Sequence, residues 1–231
     1  MKMQFFERLS SVFWLVIGNF WVLPQLVRSG WRIAKLPAPI VTVFGGKAVS
    51  DPDYLSKAIG LTRRLAQADI SIITGGGPGI MEAANHGARE AGSKAHSVGV
   101  GVSGINTVEP VNPYVTDYIV TDFFYLRKHL LIYYSHAFVA FPGGFGTLDE
   151  VSEVVMLMQT KKLPVMPVVL VGEAYWSGLI HWLAEAVKER IVSSEHAELI
   201  TVTDDIDAAA DMIIRYCRST ACVRWRHKGM I

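Results

Sequence analysis

The sequence contains little cysteine and almost no net charge, and each shortage narrows the class of protein. Only two of its 231 residues are cysteines, Cys217 and Cys222, and no second Cys/His pair is present to complete a zinc site. This usage indicates a reduced, cytoplasmic chain. Lysine and arginine together number 22 and aspartate and glutamate 21, and the resulting net charge of +1 argues against a strongly basic nucleic-acid binder.

Histidine is present, but without the spacing of a metal site. The seven histidines are His86, His96, His129, His136, His181, His196 and His227. We therefore expect neither a metal nor another cofactor. Hydrophobic residues make up 51% and charged residues 19% of the chain, which excludes a disordered protein, and the length of 231 residues fits one large α/β domain.

The N-terminal residues 5–27 are apolar and aromatic, and as a helix they would be about 34 Å long, enough to span a bilayer. Charged residues at the start and a short unbroken apolar run favour a helical extension that packs on the domain or on a partner subunit. A membrane-associated or spanning anchor is the second interpretation, in which Arg28, Arg32 and Lys35 would keep the folded domain in the cytoplasm. A cleaved signal peptide is least favoured, because no small-residue cleavage site follows.

The sequence predicts three parts: an apolar helical extension at residues 1–36, one main ligand-binding domain at 37–220 and a basic tail at 221–231. Strands are predicted at Ile40–Phe44, Ile70–Thr74, Ala95–Val102, Tyr118–Thr121, Ala137–Phe141, Val165–Val171 and Leu199–Val202. Helices are predicted at Asp51–Ala68, Ile80–Ala91, Phe123–Tyr134, Thr147–Gln159, Tyr175–Ile191 and Asp205–Arg218. This alternation predicts an α/β, doubly wound, mostly parallel sheet with helices on both faces.

Glycine-rich turns follow three of the predicted strands, at Gly45-Gly46, at Gly75–Gly79 and at 143–146. Ligands of parallel sheets bind outside the carboxyl ends of the strands, so these turns are expected at one edge. Glycine before a helix lets a phosphate approach free N–H groups. A tight turn without a ligand is an equally good interpretation of Gly75–Gly79 taken alone.

Another glycine pattern matches the dinucleotide fingerprint only by its letters. Gly99, Gly101 and Gly104 have the GxGxxG spacing, which requires a helix to open at that point. The residues that follow, 105–110, do not resemble a helix start. The sequence therefore predicts no nicotinamide or flavin site here.

The third glycine turn carries the strongest signal for a site. Gly143, Gly144 and Gly146 keep side chains out of a strand-to-helix turn, and Thr147 offers a hydroxyl at the predicted helix N-cap, which makes a second phosphate cradle. Two interpretations of Glu150 compete. With Thr147 it has the spacing of a capping box, or its carboxylate points into the ligand site and acts on water or on a developing sugar cation.

A basic pair lies on the apolar helix Phe123–Tyr134. In isolation, Arg127-Lys128 is a solvated pair of charges. However, so apolar a helix is expected to be buried on most sides, which favours a cation that faces a partner or a pocket. Arg127 could then clamp a phosphate or ribose with its fork of donors.

Three segments in the same order resemble the LONELY GUY (LOG) family. They are Gly75-Gly76-Gly77-Pro78-Gly79-Ile80-Met81-Glu82-Ala83-Ala84, Arg127-Lys128 and Pro142-Gly-Gly-Phe-Gly-Thr-Leu-Asp-Glu150. The similarity covers about Ile40 to Ala186, and Tyr175-Trp176 is similar to the bacterial branch. The resemblance implies a Rossmann-like fold, at least a homodimer, and a phosphoribohydrolase. Such an N-glycosidase converts a nucleoside 5′-monophosphate, including cytokinin ribotides, into free base and ribose 5-phosphate.

The resemblance also implies roles for individual residues. Arg127 and Glu150 would be the catalytic pair, with Glu150 activating water or stabilising the oxocarbenium-like state and Arg127 orienting the ribose and the carboxylate. Glu82 would approach the base or sugar. The other residues implied in substrate and phosphate binding are Gly46, Lys47, Gly76, Gly77, Lys128, Gly143, Gly144, Gly146 and Thr147.

The sequence departs from the family at two places. Gly46 stands where members commonly have Ser, and Lys47 is expected to replace the lost hydroxyl contact with a charge. Leu130 and Leu131 stand near the base, where some members have Met. Many members carry the name lysine decarboxylase, but the chain shows no pyridoxal-binding signature, so decarboxylation is not expected. The alternative is a non-catalytic nucleotide- or molybdenum-cofactor-binding protein of the same fold.

Overall fold

The computed structural model describes residues 22–92, 94–104 and 110–222. Its strands are β1 (Ile40–Phe44), β2 (Ser71–Thr74), β3 (Ser97–Val102), β4 (Asp117–Thr121), β5 (Ala137–Ala140), β6 (Val168–Val171) and β7 (Ile200–Thr203). Its helices are α1 (Val22–Ala34), α2 (Pro52–Gln67), α3 (Ile80–Glu90), α4 (Phe124–Tyr133), α5 (Phe145–Gln159), α6 (Glu173–Lys188), α7 (Ser194–Ala197) and α8 (Ile206–Cys217).

The described strands form one seven-stranded sheet in the order β4-β3-β2-β1-β5-β6-β7, and every neighbouring pair is parallel. The chain moves outward from β1 to β4 and then returns to the other side of β1 as β5. Ligands of doubly wound sheets bind at such a reversal of strand order. The predicted α/β, Rossmann-like parallel sheet is confirmed, and its crevice lies between β1 and β5.

Both faces of the sheet are covered by apolar layers. All residues of β1, β2, β3, β5 and β6 are buried, which explains their continuous apolar runs. On one face, Phe138 of β5 packs in a cluster with Leu130 of α4 and Val154 of α5. On the other, Val41 of β1 packs in a cluster with Leu61 of α2. This arrangement leaves the ends of the strands as the place where polar groups can meet a ligand.

Helix α1, the described end of the predicted extension, packs on the domain beside the edge strand β4. Ile33 is buried in the core, Arg32 forms an ion pair with Asp117, and Gln25 donates a hydrogen bond to Asp122. Within the described ranges, no helix combines the length and apolar character that crossing a bilayer requires. The residues before Val22, on which the membrane and signal-peptide interpretations mainly depend, lie outside the described part of the chain, as does the tail after residue 222.

Several element boundaries differ from the prediction. Helix α5 begins at Phe145 rather than at Thr147, and α6 begins at Glu173 rather than at Tyr175. The short helix α7 lies in a stretch for which no regular structure is predicted. One helical turn contains too few residues to show a periodic pattern, which explains why α7 is missed.

Candidate functional site

Three glycine turns meet at the carboxyl ends of β1, β2 and β5. The Gly46 N–H donates to the Pro142 carbonyl at 2.9 Å, and the Ile80 N–H donates to the Gly46 carbonyl at 3.3 Å. Gly79 has a φ of 69°, and a Cβ there would lie 2.6 Å from the Gly46 carbonyl oxygen. Glycine is therefore needed for this close approach, which joins the turns into one continuous edge.

A pocket of about 240 Å³ opens at this edge. Glycines from all three turns line it, namely Gly45, Gly46, Gly75, Gly144 and Gly146. The side chains that line it are Val43, Phe44, Lys47, Met81, Arg127, Thr147 and Glu150. The structure thus brings together Gly46, Lys47, Arg127, Gly144, Gly146, Thr147 and Glu150 of the residues that the sequence singles out.

Gly143 lies beneath this lining and supports the turn. The Tyr175 hydroxyl, from α6, donates a hydrogen bond to the Gly143 carbonyl. On the other side, a Cβ at Gly143 would lie 2.2 Å from Thr147 Oγ1 and 2.9 Å from the Gly46 nitrogen. A trans peptide directs its C=O and the following N–H in opposite directions, so the bond to Tyr175 turns the Gly144 N–H away from that tyrosine.

The prediction that Thr147 caps α5 is wrong, and so is the capping-box interpretation of Glu150. The N-cap is Gly144, no side chain caps the helix there, and Thr147 is its third residue. Threonine is the better N-cap by type, but the helix begins directly after Gly143, where a Cβ would lie 2.9 Å from the Gly46 nitrogen. The first turn of α5 therefore presents N–H groups without a side-chain cap, a favourable place for an anion.

Glu150 is a partly buried carboxylate that lines the pocket one turn further along α5. Burial raises its pKa to about 7. The positive charge of Arg127 opposes this rise, while neighbouring Asp149 adds to it. A carboxyl group with a pKa near neutrality can both accept and donate a proton at physiological pH.

Arg127 reaches the pocket from α4 and is held in place by the backbone of the sheet. Its Nε donates to the Val100 carbonyl at 3.0 Å, and a Cβ at Gly75 would lie 2.1 Å from its Nη2. None of the ion pairs of the described residues involves Arg127. Its outer N–H donors therefore remain available to a ligand, while Gly75 provides the space for the guanidinium.

Lys128 is placed differently from the sequence-based expectation. Its ammonium pairs with Asp149 at 2.8 Å and with Glu153 at 2.5 Å, and it does not line the pocket. A helix turns by 100° per residue, so Lys128 points in a different direction from Arg127, which faces the pocket. Lys128 therefore lies outside the pocket and links α4 to α5 beside Glu150.

Gly76 and Gly77 are buried and do not line the pocket. The Gly76 N–H already donates to Thr74 Oγ1 at 2.9 Å, and the Gly77 carbonyl accepts from Asn112 Nδ2 at 3.0 Å. The structure therefore places these two glycines behind the pocket, where the Gly76 N–H and the Gly77 carbonyl help to close the turn. Only Gly75 of this turn reaches the pocket.

Glu82 faces a second, neighbouring pocket. It lines a groove of about 420 Å³ between α2 and α3, together with Leu55, His86 and Tyr114. Lys47 lines both pockets. Glu82, which was expected to approach the base or sugar, therefore lies outside the pocket that Arg127 and Glu150 line.

The pocket contains a methionine that the sequence analysis left unassigned. Met81 lines it. Leu130 and Leu131 of α4, which were expected near the base, are buried in the hydrophobic core of the domain. The signal was available, since Met81 is the second residue of the helix that follows the Gly75–Gly79 turn. Side chains at that point of a helix lie beside the strand ends.

The first two glycines of the rejected dinucleotide fingerprint lie in a strand. Gly99 and Gly101 belong to β3, and a Cβ at Gly101 would lie 1.9 Å from the Tyr118 hydroxyl oxygen. These glycines therefore make room for the Tyr118 ring on the neighbouring strand. Among the described residues, no group of three or more His, Cys, Asp or Glu side chains could hold a metal ion.

Several known proteins with similar sequences are named for the same type of reaction. A pyrimidine/purine nucleotide 5′-monophosphate nucleosidase of Escherichia coli is 26% identical over 174 residues, which cover 72% of this chain and 38% of that protein. A cytokinin riboside 5′-monophosphate phosphoribohydrolase of Mycobacterium marinum is 28% identical, covering 73% and 90%. A probable enzyme of the same name from Oryza sativa subsp. japonica is 24% identical, covering 89% and 88%. The chain thus spans well under half of the nucleosidase.

Solved structures support the fold. The molybdenum cofactor carrier protein of Chlamydomonas reinhardtii superposes with a TM-score of 0.58 at 26% identity, covering 78% of this chain and 99% of that one. A molybdenum cofactor binding protein of Rippkaea orientalis has a TM-score of 0.57 at 24% identity, covering 76% and 94%, and shows the fold alone.

A family model matches the part of the chain that contains the site. The model described as possible lysine decarboxylase matches residues 81–213, more than half of the chain. This stretch includes both Arg127 and the turn that leads into Glu150. The chain therefore belongs to the LOG-like family of possible lysine decarboxylases.

Proposed function

We propose that this protein hydrolyses the N-glycosidic bond of a nucleoside 5′-monophosphate, of the adenosine monophosphate or cytokinin ribotide type, to free base and ribose 5-phosphate. One observation carries the proposal: the Glu150 carboxyl group and the Arg127 guanidinium line the same pocket as the uncapped start of α5. The names of the relatives, a nucleotide nucleosidase and phosphoribohydrolases, support the same reaction type.

The start of α5 is the proposed phosphate site. Gly144 and Gly146 leave the approach to the backbone open, because a Cβ at either would meet no atom within 4 Å. The N–H groups of the first turn and the positive end of the helix dipole favour an anion there. Thr147 and Lys47 line the same pocket.

Glu150 supplies the proposed acid–base chemistry. Its ionised form accepts a proton from water while the oxygen of that water bonds to C1′ and the C1′–N bond breaks. The electron pair of that bond leaves with the base, which takes up a proton. A carboxylate at this place also stabilises the oxocarbenium-like state electrostatically. Arg127 holds the ribose and orients the carboxylate through its outer N–H donors.

The size of the pocket suggests which part of the nucleotide it encloses. Its volume of about 240 Å³ lies below the roughly 300–1,000 Å³ of sites that surround a whole drug-sized ligand. We infer that the phosphate and ribose are enclosed and that the base extends towards the opening. Met81 offers this base a polarisable contact.

A non-catalytic carrier of the same fold is the alternative, and the likeness to the molybdenum cofactor carrier protein favours it as the second candidate. A carrier has no need of a carboxylate beside a bound phosphate, because like charges repel. The combination of Glu150 with Arg127 in one pocket favours the enzyme.

A second copy of the chain is the proposed partner. Phe124 and Tyr125 on α4 and Phe145 on α5 are exposed, and Phe145 is 92% exposed beside the pocket. The pairing of Lys128 with Asp149 joins these two helices, so the exposed apolar residues belong to one face. Such a face is typical of a homodimer or larger homo-oligomer, and the mass of the protein in solution tests it.

The proposed location is the cytoplasm, with membrane association through the N-terminal extension. Cys217 and Cys222 are both buried, and their low number suits a reducing compartment. We assign the active site to the domain and any contact with lipid to the extension.

The test is a panel of nucleoside 5′-monophosphates incubated with the purified full-length chain, with products identified by mass. We expect free base and ribose 5-phosphate from at least one member, and a loss of about 10²–10⁴-fold in kcat for Glu150→Gln. Glu185→Gln, which removes an exposed carboxylate on α6, is the matched control and is expected to retain full activity. Tight binding of a nucleotide with no base release by either protein would support the carrier instead.

A further inference from the structure

One side of helix α1 exposes an apolar stripe that no described residue covers. Leu23 is 64% exposed, and Val27 and Trp31 are each 63% exposed. Their spacing of four residues places them on one face of the helix, and together with Pro24 and Arg28 they line a shallow groove. Leu23, Val27 and Trp31 are called the α1 stripe below.

The opposite side of α1 is fastened to the domain, so the stripe has a set orientation. Ile33 is buried, and a Cβ at Gly30 would lie 2.3 Å from the Tyr134 hydroxyl oxygen. Arg32 and Gln25 hold the helix to the β4 side of the sheet through Asp117 and Asp122. The stripe is therefore a surface of the folded protein that cannot turn inward without unpacking α1.

The two charged side chains placed at the stripe itself are cations. Arg28 lies within the groove, and the Lys35 ammonium sits over the Trp31 ring, 3.1 Å from its centroid. Helix α1 contains no aspartate or glutamate. An apolar face bordered by cations and without carboxylates matches a negatively charged apolar boundary better than another protein surface of mixed charge.

The sequence that leads into α1 has the same character. Residues 5–21 end directly at the start of the helix and include Phe13, Trp14, Phe20 and Trp21. Tryptophan is enriched where proteins meet the headgroup region of membranes, because its ring is apolar while its N–H can bond to water.

We propose that the α1 stripe docks on the interface of a bilayer that contains anionic lipids. Leu23, Val27 and Trp31 enter the boundary between headgroups and acyl chains, while Arg28 and Lys35 lie at the level of the phosphates. Because α1 is packed on the domain, docking sets the orientation of the whole domain towards the membrane. The proposal rests on α1 and does not depend on the proposed reaction.

The test is flotation of the full-length protein with vesicles of phosphatidylcholine and phosphatidylglycerol in equal amounts. The double variant Val27→Glu/Trp31→Glu removes the stripe at exposed positions. We expect its partition coefficient to fall at least about tenfold. Trp31→Leu, which stays apolar, is expected to retain most of the binding. The matched control is Trp182→Glu on α6, where the tryptophan is 60% exposed, and its binding should equal that of the wild type.

A second arm isolates the contribution of charge. Arg28→Glu/Lys35→Glu should weaken binding to the anionic vesicles and leave the weaker binding to pure phosphatidylcholine vesicles almost unchanged. Lys162→Glu/Lys188→Glu makes the same change in net charge at exposed positions away from α1, and it should have a much smaller effect. Added salt should reduce binding of the wild type but have little effect on the Arg28→Glu/Lys35→Glu variant.

Two results would overturn the proposal. Equal binding by the wild type and Val27→Glu/Trp31→Glu would show that the stripe does not meet lipid. A change from a larger to a smaller assembly in lipid-free solution, caused by the stripe variant alone, would show that a second copy of the chain covers it. Circular dichroism and thermal melting of each variant confirm that α1 and the domain remain folded.

Discussion

The Tyr175 hydroxyl donates a hydrogen bond to the Gly143 carbonyl and so orients the peptide whose N–H belongs to Gly144. Tyr175→Phe removes this bond and leaves the ring in place. We expect KM for the nucleoside monophosphate to rise about threefold to tenfold, the equivalent of roughly 0.5–1.5 kcal/mol for one hydrogen bond, with a smaller change in kcat. Steady-state kinetics of the purified variant measure both.

Tyr216→Phe is the matched control for this prediction. The Tyr216 hydroxyl also donates to a backbone carbonyl, that of Val165 at 3.2 Å, but far from the pocket. An equal rise in KM in both variants, or a fall in kcat alone for Tyr175→Phe, would show that Tyr175 does not position the phosphate turn.

Gly75→Ala should disturb the site without unfolding the protein. The added Cβ would lie 2.1 Å from Arg127 Nη2 and 2.7 Å from Met81 Sδ, and both atoms end flexible side chains that can move. We expect a drop of about 10–100-fold in kcat/KM, because displacement of a positioned group by 1 Å is enough for such a loss. Gly178→Ala on α6, where a Cβ meets nothing within 4 Å, is expected to leave activity unchanged and to raise stability slightly.

The activity should fall as the pH is lowered through the pKa of Glu150, about 7. Below this value the carboxyl group is protonated and cannot accept a proton from water, so kcat/KM should decrease about tenfold per pH unit. A decrease of kcat/KM with its midpoint near pH 6 would instead report the second ionisation of the substrate phosphate. A pH–rate profile in buffers of constant ionic strength separates the two.

Lys128→Met should move the midpoint of this decrease in kcat/KM to higher pH. The ammonium of Lys128 lowers the pKa of Glu150, and its loss leaves Asp149 and Glu153 as uncompensated negative charges beside Glu150. The KM is expected to change little, because Lys128 does not line the pocket. Lys188→Met, which removes the ion-pair partner of Glu185 on α6, should not move this midpoint. A large rise in KM for Lys128→Met with an unchanged midpoint would show that Lys128 binds the substrate directly.

Glu150→Gln should stabilise the protein at alkaline pH. Burial raises the pKa of Glu150 from its ordinary 4.5 to about 7, so the folded state binds this proton more tightly than the unfolded state. The free energy of unfolding of the wild type therefore falls as the pH rises through this window, and the loss is complete above it. Above about pH 8, Glu150→Gln should be more stable by roughly 1–3 kcal/mol, and near pH 4 the difference should vanish. Denaturant unfolding at both pH values measures it.

The sheet and the location of the site follow from short-range sequence patterns. Buried strands read as continuous apolar runs, and glycines mark the ends of three of them, so the turns around Gly46, Gly75 and Gly144 are expected at one edge, where the structure places them. Arg127 and Glu150 come from different helices, and their common pocket depends on the packing of α4 and α5. The sequence indicates it only through the resemblance to the LOG family.

The directions in which individual side chains point could not be predicted from the sequence. Lys128 is adjacent to Arg127 in the chain, but it faces α5, because consecutive residues of a helix point in different directions. Glu82 follows Met81 and faces a different pocket for the same reason. Gly76 lies in a glycine turn, but its N–H is already bonded to Thr74. These choices depend on helix phase and on competing hydrogen bonds, which motif letters do not encode.

The position of α1 has a consequence for solubility. Strand β4 lies at the end of the sheet order, and a bare edge strand can pair with a strand of another molecule. Arg32, bonded to Asp117 and to the Tyr118 carbonyl, and Gln25, bonded to Asp122, hold α1 beside that strand. A chain shortened to begin at Pro37 would expose β4, and its native-like domains would be prone to stack edge to edge into aggregates.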